Sequence, residues 1–162
     1  MTKRPSLSGN QKRKMKSASR LYAVQALFQM EHSDQTSDAV CEEFLDHRFG
    51  ADYDGAQFAE GDVDLFRQTI ANAVENQARI DQLTDRALVA KWPLGRIDPT
   101  LRALFRAAIS EIIIDKTPNK AIINEFIEIA KAFFPEGKEA KLVNGVLDNV
   151  LSKLQKNSAS KY

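Results

Sequence analysis

Apolar residues recur at spacings of three and four along most of this 162-residue chain, which is the period of an α-helix with one buried face. The segment from Ser17 to Glu31, for example, places Leu21, Val24, Leu27 and Phe28 on one side of a helix. No stretch shows the sustained alternation of apolar and polar residues that a half-buried β-strand requires. The pattern therefore predicts an all-α domain of about seven helices.

Local signals indicate where these helices begin and end. Asp98-Pro99 and Thr117-Pro118 each place a capping residue before a proline at the first helical position. The glycines and aspartates of Gly50 to Gly61 predict a loop. The segment Trp92-Pro93-Leu94-Gly95 is expected to end a helix, with the Trp92 side chain packed in the core. The predicted helices span about 17–31, 36–49, 62–80, 83–88, 98–112, 117–134 and 138–154, with a break near Asp81.

The net charge of +1 conceals a separation of charge along the chain. Residues 1–20 carry seven bases and no acid, whereas residues 21–64 carry eleven acids and one base. A basic segment of this kind favours binding of a polyanion such as a nucleic acid. A mitochondrial transit peptide and a plain solubilising tail are the alternatives for the same residues.

The ends of the chain differ from its middle. Residues 1–16 contain almost no apolar side chains, so we expect a flexible basic arm there, followed by one helical domain at 17–155 and a disordered tail at 156–162. If the first helix began a turn earlier, Arg13, Lys16 and Arg20 would share a face. We expect that face to project outward and to continue the basic surface of the arm.

Composition and motifs argue against several classes of protein. The single cysteine, Cys41, excludes a disulfide framework, and its spacing to His32 and His47 matches no metal-binding motif, so no metal or other cofactor is expected. No run of 18 apolar residues is present, so we expect no membrane span. The chain lacks a phosphate-binding loop and a nucleophile elbow, so we expect a protein that is not an enzyme.

Two asparagines stand inside predicted helices among apolar residues, where asparagine is disfavoured. These are Asn124 and Asn144, the latter followed by Gly145. We interpret them as a buried polar clamp between the last two helices, with Gly145 permitting close helix contact. A ligand site is the alternative interpretation.

Four segments together closely resemble the NusB family of bacterial transcription antitermination factors. They occur in the family's order and cover about residues 16–154. The segments are Arg20-Leu-Tyr-Ala-Val-Gln-Ala-Leu-Phe28, Leu104-Phe-Arg-Ala-Ala-Ile-Ser-Glu111, Ala121-Ile-Ile-Asn-Glu-Phe-Ile-Glu-Ile-Ala-Lys131 and Leu142-Val-Asn-Gly-Val-Leu-Asp148.

The resemblance implies an all-helical fold of two packed helical halves. It also implies binding to the single-stranded boxA element of nascent RNA, as a heterodimer with the small-subunit ribosomal protein also called NusE. That complex joins the elongating RNA polymerase and suppresses premature termination, notably in ribosomal RNA operons. A cytoplasmic protein is therefore expected.

Site residues follow from the matching positions of the family and from the neighbouring basic arm. Phe28 matches an aromatic position that lies toward the ribosomal protein, and Arg102 is assigned to the same partner surface. Leu142 replaces the usual Phe of the family, which removes a stacking ring, and Ser110 replaces a frequent Tyr. The expected RNA-binding residues are Lys12, Arg13, Lys14, Lys16, Arg20, Lys138 and Lys141.

Two other functions fit the same sequence. One is an RNA-binding accessory module of an rRNA-modification system, and the other is a helical scaffold that binds only protein. Because the basic end has few aromatic residues with which bases could stack, we expect modest RNA affinity for the chain alone. The ribosomal protein should then raise that affinity markedly.

Overall fold

A computed structural model of the chain describes residues 8–50, 52–53, 56–57, 60–88 and 96–159. Within these ranges the fold consists of helices and one short pair of strands, which confirms the all-α prediction. The elements are α1 (Gly9–Glu31), α2 (Ser37–His47), β1 (Asp52–Tyr53), β2 (Ala56–Gln57), α3 (Val63–Glu75), α4 (Gln77–Ala87), α5 (Pro99–Ile114), α6 (Asn119–Phe133) and α7 (Lys138–Ala159).

Helix α5 is the centre of the fold. Ten of its sixteen residues are buried, because apolar and small residues occupy nearly its whole circumference. Helices α1 and α3 pack against α5 on one side and also contact α2, whereas α4, α6 and α7 form a second group around the same helix. The molecule thus has two helical groups that share α5.

Aromatic side chains join the first three helices. The ring of Phe49 lies 4.7 Å from that of Tyr22 and 5.0 Å from that of Phe66, measured between centroids. Phe44 stacks on Phe66 at 5.9 Å. Buried aromatic pairs of this kind stabilise a fold by about 0.5–1.5 kcal/mol beyond the burial of their area. The cluster therefore holds α1, α2 and α3 in a defined arrangement.

The segment before α3 is tied directly to α1. The Ser19 hydroxyl donates to the carbonyl oxygen of Asp62 at 2.7 Å, and the Asp62 carboxylate caps α3 by accepting from Leu65 N–H at 3.0 Å. A Cβ on Gly61 would lie 2.3 Å from a ring carbon of Phe49, so only glycine fits at this close approach. The hydrogen bond between Ser19 and Asp62 fixes the distance between the start of α3 and α1.

Helix α1 begins at Gly9, which corrects the helix start expected near Ser17. The cause is a capping box. The Ser8 hydroxyl accepts from Gln11 N–H at 3.1 Å, and the Gln11 side chain accepts from Ser8 N–H at 2.8 Å. At the other end of the chain, α7 continues to Ala159, so the tail expected from residue 156 is helical over its first residues.

Two boundaries in the middle of the chain differ from the prediction. The break expected near Asp81 lies at Asn76, whose amide donates to the carbonyl and side-chain oxygens of Asn72 at 3.2 and 2.7 Å. Helix α6 starts one residue later than expected, with Pro118 rather than Thr117 at the cap position and no side-chain capping bond. An asparagine whose side chain bonds nearby backbone competes with the helical pattern, and this explains the earlier break.

The remaining local predictions have different outcomes. Asp98 caps α5 through Thr100 N–H at 2.7 Å, and Pro99 occupies the first turn, as predicted. The predicted loop from Gly50 to Gly61 contains a two-residue antiparallel ladder that pairs Asp52 with Gln57. Trp92-Pro93-Leu94-Gly95 lies outside the described residues.

Candidate nucleic-acid interface

The first half of α1 presents a group of exposed bases. Lys12, Arg13, Lys14 and Lys16 are all exposed, and Lys16 lies one turn after Lys12 and Arg13 on the helix surface. The first turn contains no acidic residue, and none of the four bases forms an ion pair within the part of the chain that the structure describes. Their positive charge is therefore open to an external anion.

Arg20 does not belong to this surface. The prediction that it faces solvent is wrong, because only 4% of the residue is exposed. Its Nε lies 2.9 Å from both carboxylate oxygens of Glu111, and its Nη1 lies 3.6 Å from Glu125. Ser17 also donates to Glu125 at 2.8 Å. These contacts attach the middle of α1 to α5 and α6.

The carboxyl group of Glu111 is influenced by two opposing effects. Burial raises its pKa, while the charge of Arg20 and its hydrogen bonds lower it, and burial has the larger effect. A buried ion pair of this kind costs desolvation energy and is tolerated where the geometry is good. Its role is to position α1 against the centre of the fold.

The other expected RNA-binding residues lie at the start of α7. Lys138 and Lys141 are both exposed there and line a cleft of about 510 Å³ beside the start of α5. Leu101 of α5 contributes to the same cleft. The second basic group therefore borders a concave surface, whereas the first lies on a convex helix.

The two basic groups lie toward opposite ends of α5. Helix α1 runs antiparallel to α5, since Arg20 contacts Glu111 whereas Glu31 contacts Arg102. The cleft beside α7 includes Leu101, ten residues before Glu111, which is about 15 Å along a helix. One strand of nucleic acid would have to span at least this distance to touch both groups.

A second cleft, lined by aromatic side chains and about 460 Å³ in volume, also borders the start of α5. Phe28 and Phe133 line it and are each 37% exposed, and the His32 ring stacks on Phe28 at 4.4 Å. Thr100 of α5 also lines this cleft. Large exposed aromatic side chains are typical of surfaces that bind other proteins.

Arg102 lies near this region, but its guanidinium is engaged by an acidic residue of the same chain. Its guanidinium pairs with Glu31, which also accepts from Arg106, and only 14% of the Arg102 side chain is exposed. Arg106 in turn pairs with Asp81 at 2.8 Å. The geometry thus brings Arg102 into a network that joins α1, α4 and α5.

A comparison with protein-family models matches residues 17–152 to the NusB family. The transcription antitermination protein NusB of Maricaulis maris is 43% identical over 136 residues, which covers 83% of this chain and 84% of that protein. The NusB of Caulobacter vibrioides is 43% identical over 145 residues, which covers 89% and 96% of the two chains. This chain belongs to the NusB family.

Solved structures agree with this assignment. The structure of T. maritima NusB is 32% identical, with a TM-score of 0.68 over 84% of this chain and 89% of that one. A chain from the crystal structure of antitermination factors NusB and NusE in complex with double-stranded RNA has a TM-score of 0.67 at 18% identity, over 85% and 96% of the two chains. The second likeness shows the shared fold.

The prediction that Asn124 and Asn144 form a buried polar clamp is wrong. Asn124 and Asn144 are both exposed, and a Cβ on Gly145 would have no neighbour within 4 Å. The helices meet instead through the apolar residues beside them, such as Val143 and Phe126. The asparagines therefore belong to the polar surface of α6 and α7.

The structure adds one base to the site that the sequence did not indicate. Arg96 lies next to Lys138 and Lys141 in the cleft beside α7. In the sequence it stands out only as a basic residue two positions before the Asp98 cap. Ser110 donates to the carbonyl oxygen of Thr69 at 2.7 Å and is fully buried. Its hydroxyl also accepts from the side-chain amide of Asn72 at 3.0 Å, so Ser110 links α5 to α3.

No metal site forms among the described residues, where no group of three or more metal-binding side chains comes together. Cys41 is buried, and this burial raises the pKa of its thiol. No helix in the same part of the chain is long and apolar enough to cross a membrane.

Proposed function

We propose that this chain is a transcription antitermination factor that binds single-stranded, boxA-type RNA together with the ribosomal protein NusE. The complex would act on the elongating RNA polymerase, notably in ribosomal RNA operons, and in the cytoplasm. The observation that carries this proposal is the unpaired basic surface of α1 in a chain of the NusB family.

The chemistry of this surface suits an RNA backbone. Lysine and arginine side chains neutralise phosphates and release counterions, which supplies affinity that depends strongly on salt. Lys12, Arg13 and Lys14 also lie close to the positive end of the α1 dipole, where cations are disfavoured unless an anion is near. A bound phosphate would relieve this repulsion.

The partner surface is assigned to the aromatic cleft. Phe28 and Phe133 offer exposed apolar area there, and the exposed Glu43 carboxylate of α2 accepts at 2.9 Å from the side chain of Gln29, which lines the same cleft. Ribosomal proteins are commonly basic, so a carboxylate beside the cleft favours their approach. We assign Phe28 as the anchor and Arg102 as a residue that supports this surface through Glu31.

No catalytic step is part of the proposal. The function consists of binding RNA and protein at separate surfaces, so its affinity should be modest for RNA alone and greater with the partner. The buried position of Arg20 also changes the design of the test. Its substitution would affect the fold, so the exposed lysines must be used instead.

The proposal is tested by titrating boxA-type RNA with and without the ribosomal protein at several salt concentrations. Lys12→Ala combined with Lys16→Ala should weaken binding and reduce the slope of log affinity against log salt by about 0.7 for each phosphate that is no longer neutralised. Arg67→Ala is the matched control, because it removes an exposed charge on α3.

Two results would contradict the proposal. A slope of log affinity against log salt near zero for the unaltered protein would show that it makes no phosphate contacts. If the ribosomal protein did not bind, or did not raise the RNA affinity, the chain and the ribosomal protein would not bind RNA as one complex. A chain that bound only the ribosomal protein would act as a helical protein-binding scaffold.

A further inference from the structure

The start of α1 is joined to the rest of the protein by few contacts. Residues 9–14 are all exposed, and no hydrogen bond or ion pair joins them to another element within the described part of the chain. The first connections are at Met15, whose carbonyl oxygen accepts from Asp62 N–H at 3.3 Å, and at Ser17. The orientation of the exposed bases of α1 therefore depends on these two positions.

Glu125 of α6 provides the connection at Ser17. Its carboxylate accepts from the Ser17 hydroxyl at 2.8 Å and lies 3.6 Å from Nη1 of Arg20. Arg13 precedes Ser17 by four residues, so the two side chains lie on the same side of α1. Lys16 is the neighbour of Ser17 along the chain. The contact with α6 thus lies next to two of the four exposed bases.

We infer that Glu125 is a positioning residue for RNA binding. It does not touch the RNA, but through Ser17 it holds the turn of α1 that carries Arg13 and Lys16 in the orientation that meets the phosphates. The inference rests on the proposed function, because it concerns the same basic surface. It gives a role in binding to an acidic residue that no phosphate contact would explain.

Charge alone predicts the opposite effect of Glu125. Its side chain is 29% exposed, and a carboxylate beside a basic surface repels phosphates, so its removal would strengthen RNA binding. Positioning works through entropy instead. A base whose place is fixed before binding loses less conformational freedom when it meets a phosphate. The sign of the change in RNA affinity therefore distinguishes the two effects.

The surroundings of Glu125 limit its role to this end of α1. The side chains of Arg20 and Glu111, which are almost fully buried, already join α1 to α5. Glu125 lies at the edge of this pair and is partly exposed, where a polar contact adds little to the stability of the whole fold. Its loss should therefore loosen the start of α1 and leave the protein folded.

The first experiment measures the RNA affinity of Glu125→Ala in the presence of the ribosomal protein. We expect a loss of about three- to tenfold, the cost of ordering one or two side chains at the moment of binding. Glu125→Gln keeps an oxygen that accepts from Ser17, so it should bind RNA as well as the unaltered protein. Glu128→Ala is the matched control, because Glu128 lies on the same helix and its carboxylate pairs with Lys131 of that helix. The control should leave the affinity unchanged or slightly raised.

The second experiment tests whether Glu125 acts through Ser17. Ser17→Ala removes the same hydrogen bond from the other side, so it should weaken RNA binding about as much as Glu125→Ala. The double variant should lose no more affinity than either single variant, because the interaction is already absent in each. Additive losses would show that the two residues act separately and would overturn the inference.

Two further measurements distinguish positioning from a general loss of structure. Phe28 lies eleven residues after Ser17, about 16 Å along the helix, so binding of the ribosomal protein without RNA should be the same for Glu125→Ala and the unaltered protein. Hydrogen exchange of the backbone amides of residues 13–16 should be faster in Glu125→Ala and unchanged in Glu125→Gln and Glu128→Ala.

The outcomes separate this inference from the proposed function. If the unaltered protein binds RNA and Glu125→Ala binds it equally well or more tightly, the positioning role is wrong and the function stands. A Glu125→Gln variant as weak as Glu125→Ala would also overturn the role, since the hydrogen bond from Ser17 would then not be the cause. Weaker binding of the ribosomal protein by Glu125→Ala would show general damage to the fold and count against positioning. If the unaltered protein and its partner bind no RNA, both proposals fail.

Discussion

Two basic residues one turn apart on α1 have different roles. Lys16 is exposed, whereas Arg20 is buried between Glu111 and Glu125. The planar guanidinium suits the buried position, because it donates several hydrogen bonds in a fixed geometry that an ammonium group does not reproduce. Charge alone therefore does not identify the RNA surface, and the partners of each charge decide it.

Substitution should separate these two roles. Arg20→Ala should lower the free energy of unfolding by about 3–5 kcal/mol, because it leaves the Glu111 carboxylate buried without its partner. Lys16→Ala should change that quantity by less than about 0.5 kcal/mol. Urea denaturation followed by circular dichroism measures both. An Arg20→Ala variant that kept its stability but had weaker RNA affinity would return Arg20 to the RNA surface.

The raised pKa of Glu111 predicts a dependence of stability on pH. Because the folded state holds the proton more tightly than the unfolded state, this group contributes stability at low pH that is lost as pH rises through its raised pKa. Relative to Glu111→Gln, the unaltered protein should therefore lose stability as pH increases above 4.5, the ordinary value for Glu. Urea denaturation across this pH range would show it, and a constant difference between the two proteins would contradict the shift.

At the scale of elements, local signals explain the ends of most helices. The capping box of Ser8 and Gln11 starts α1 early and places Lys12 and Lys16 on a regular helix. An ordered helix fixes the spacing of these charges, which lowers the conformational entropy lost when a phosphate binds. The same element is therefore a structural part of the fold at Arg20 and an open basic surface at its start.

Gly145 offers a direct test of the exposed surface of α7. It lies inside the helix, and a Cβ at this position would meet no atom within 4 Å, so Gly145→Ala should stabilise the protein by about 0.5–1 kcal/mol. The measurement is again urea denaturation. Destabilisation would instead support the close helix contact expected from the sequence.

At the scale of the whole molecule, α5 separates two basic groups and borders both clefts. Leu101 and Thr100 line one cleft each at its start, whereas Glu111 anchors α1 near its end. The proposed RNA strand and the proposed protein partner would therefore meet around one end of this helix. Such an arrangement explains physically how a partner could add to RNA affinity.

Because the two basic groups lie more than about 10 Å apart, the effects of substitutions in them should add. The combination of Lys16→Ala with Lys141→Ala should change the binding free energy by the sum of the two single effects. Titrations with RNAs shortened from either end should remove the effect of one substitution before that of the other. Strong coupling between the two sites on a full-length RNA would contradict two separate contact regions.

Prediction from the sequence succeeded where the controlling interactions are local. The helical class follows from spacings of three and four such as those from Leu101 to Leu104 and Phe105. The Asp98 cap follows from its proline neighbour. The prediction of a buried clamp at Asn124 and Asn144 failed because each helix has one face toward the core and another toward solvent. The residues next to an apolar position can face either the core or solvent, depending on which neighbouring helix packs there.

The sequence by itself determined the helical period, the basic charge at the start of the chain and the family to which it belongs. Only the tertiary structure decided which charges are open and which are buried. Arg20 lies within about a turn of Lys16, yet Glu111, 91 residues away in the sequence, removes it from the surface. Arg96 likewise meets Lys138 only because α5 and α7 pack together. Such contacts depend on helices that are distant along the chain, and local periodicity carries no information about their pairing.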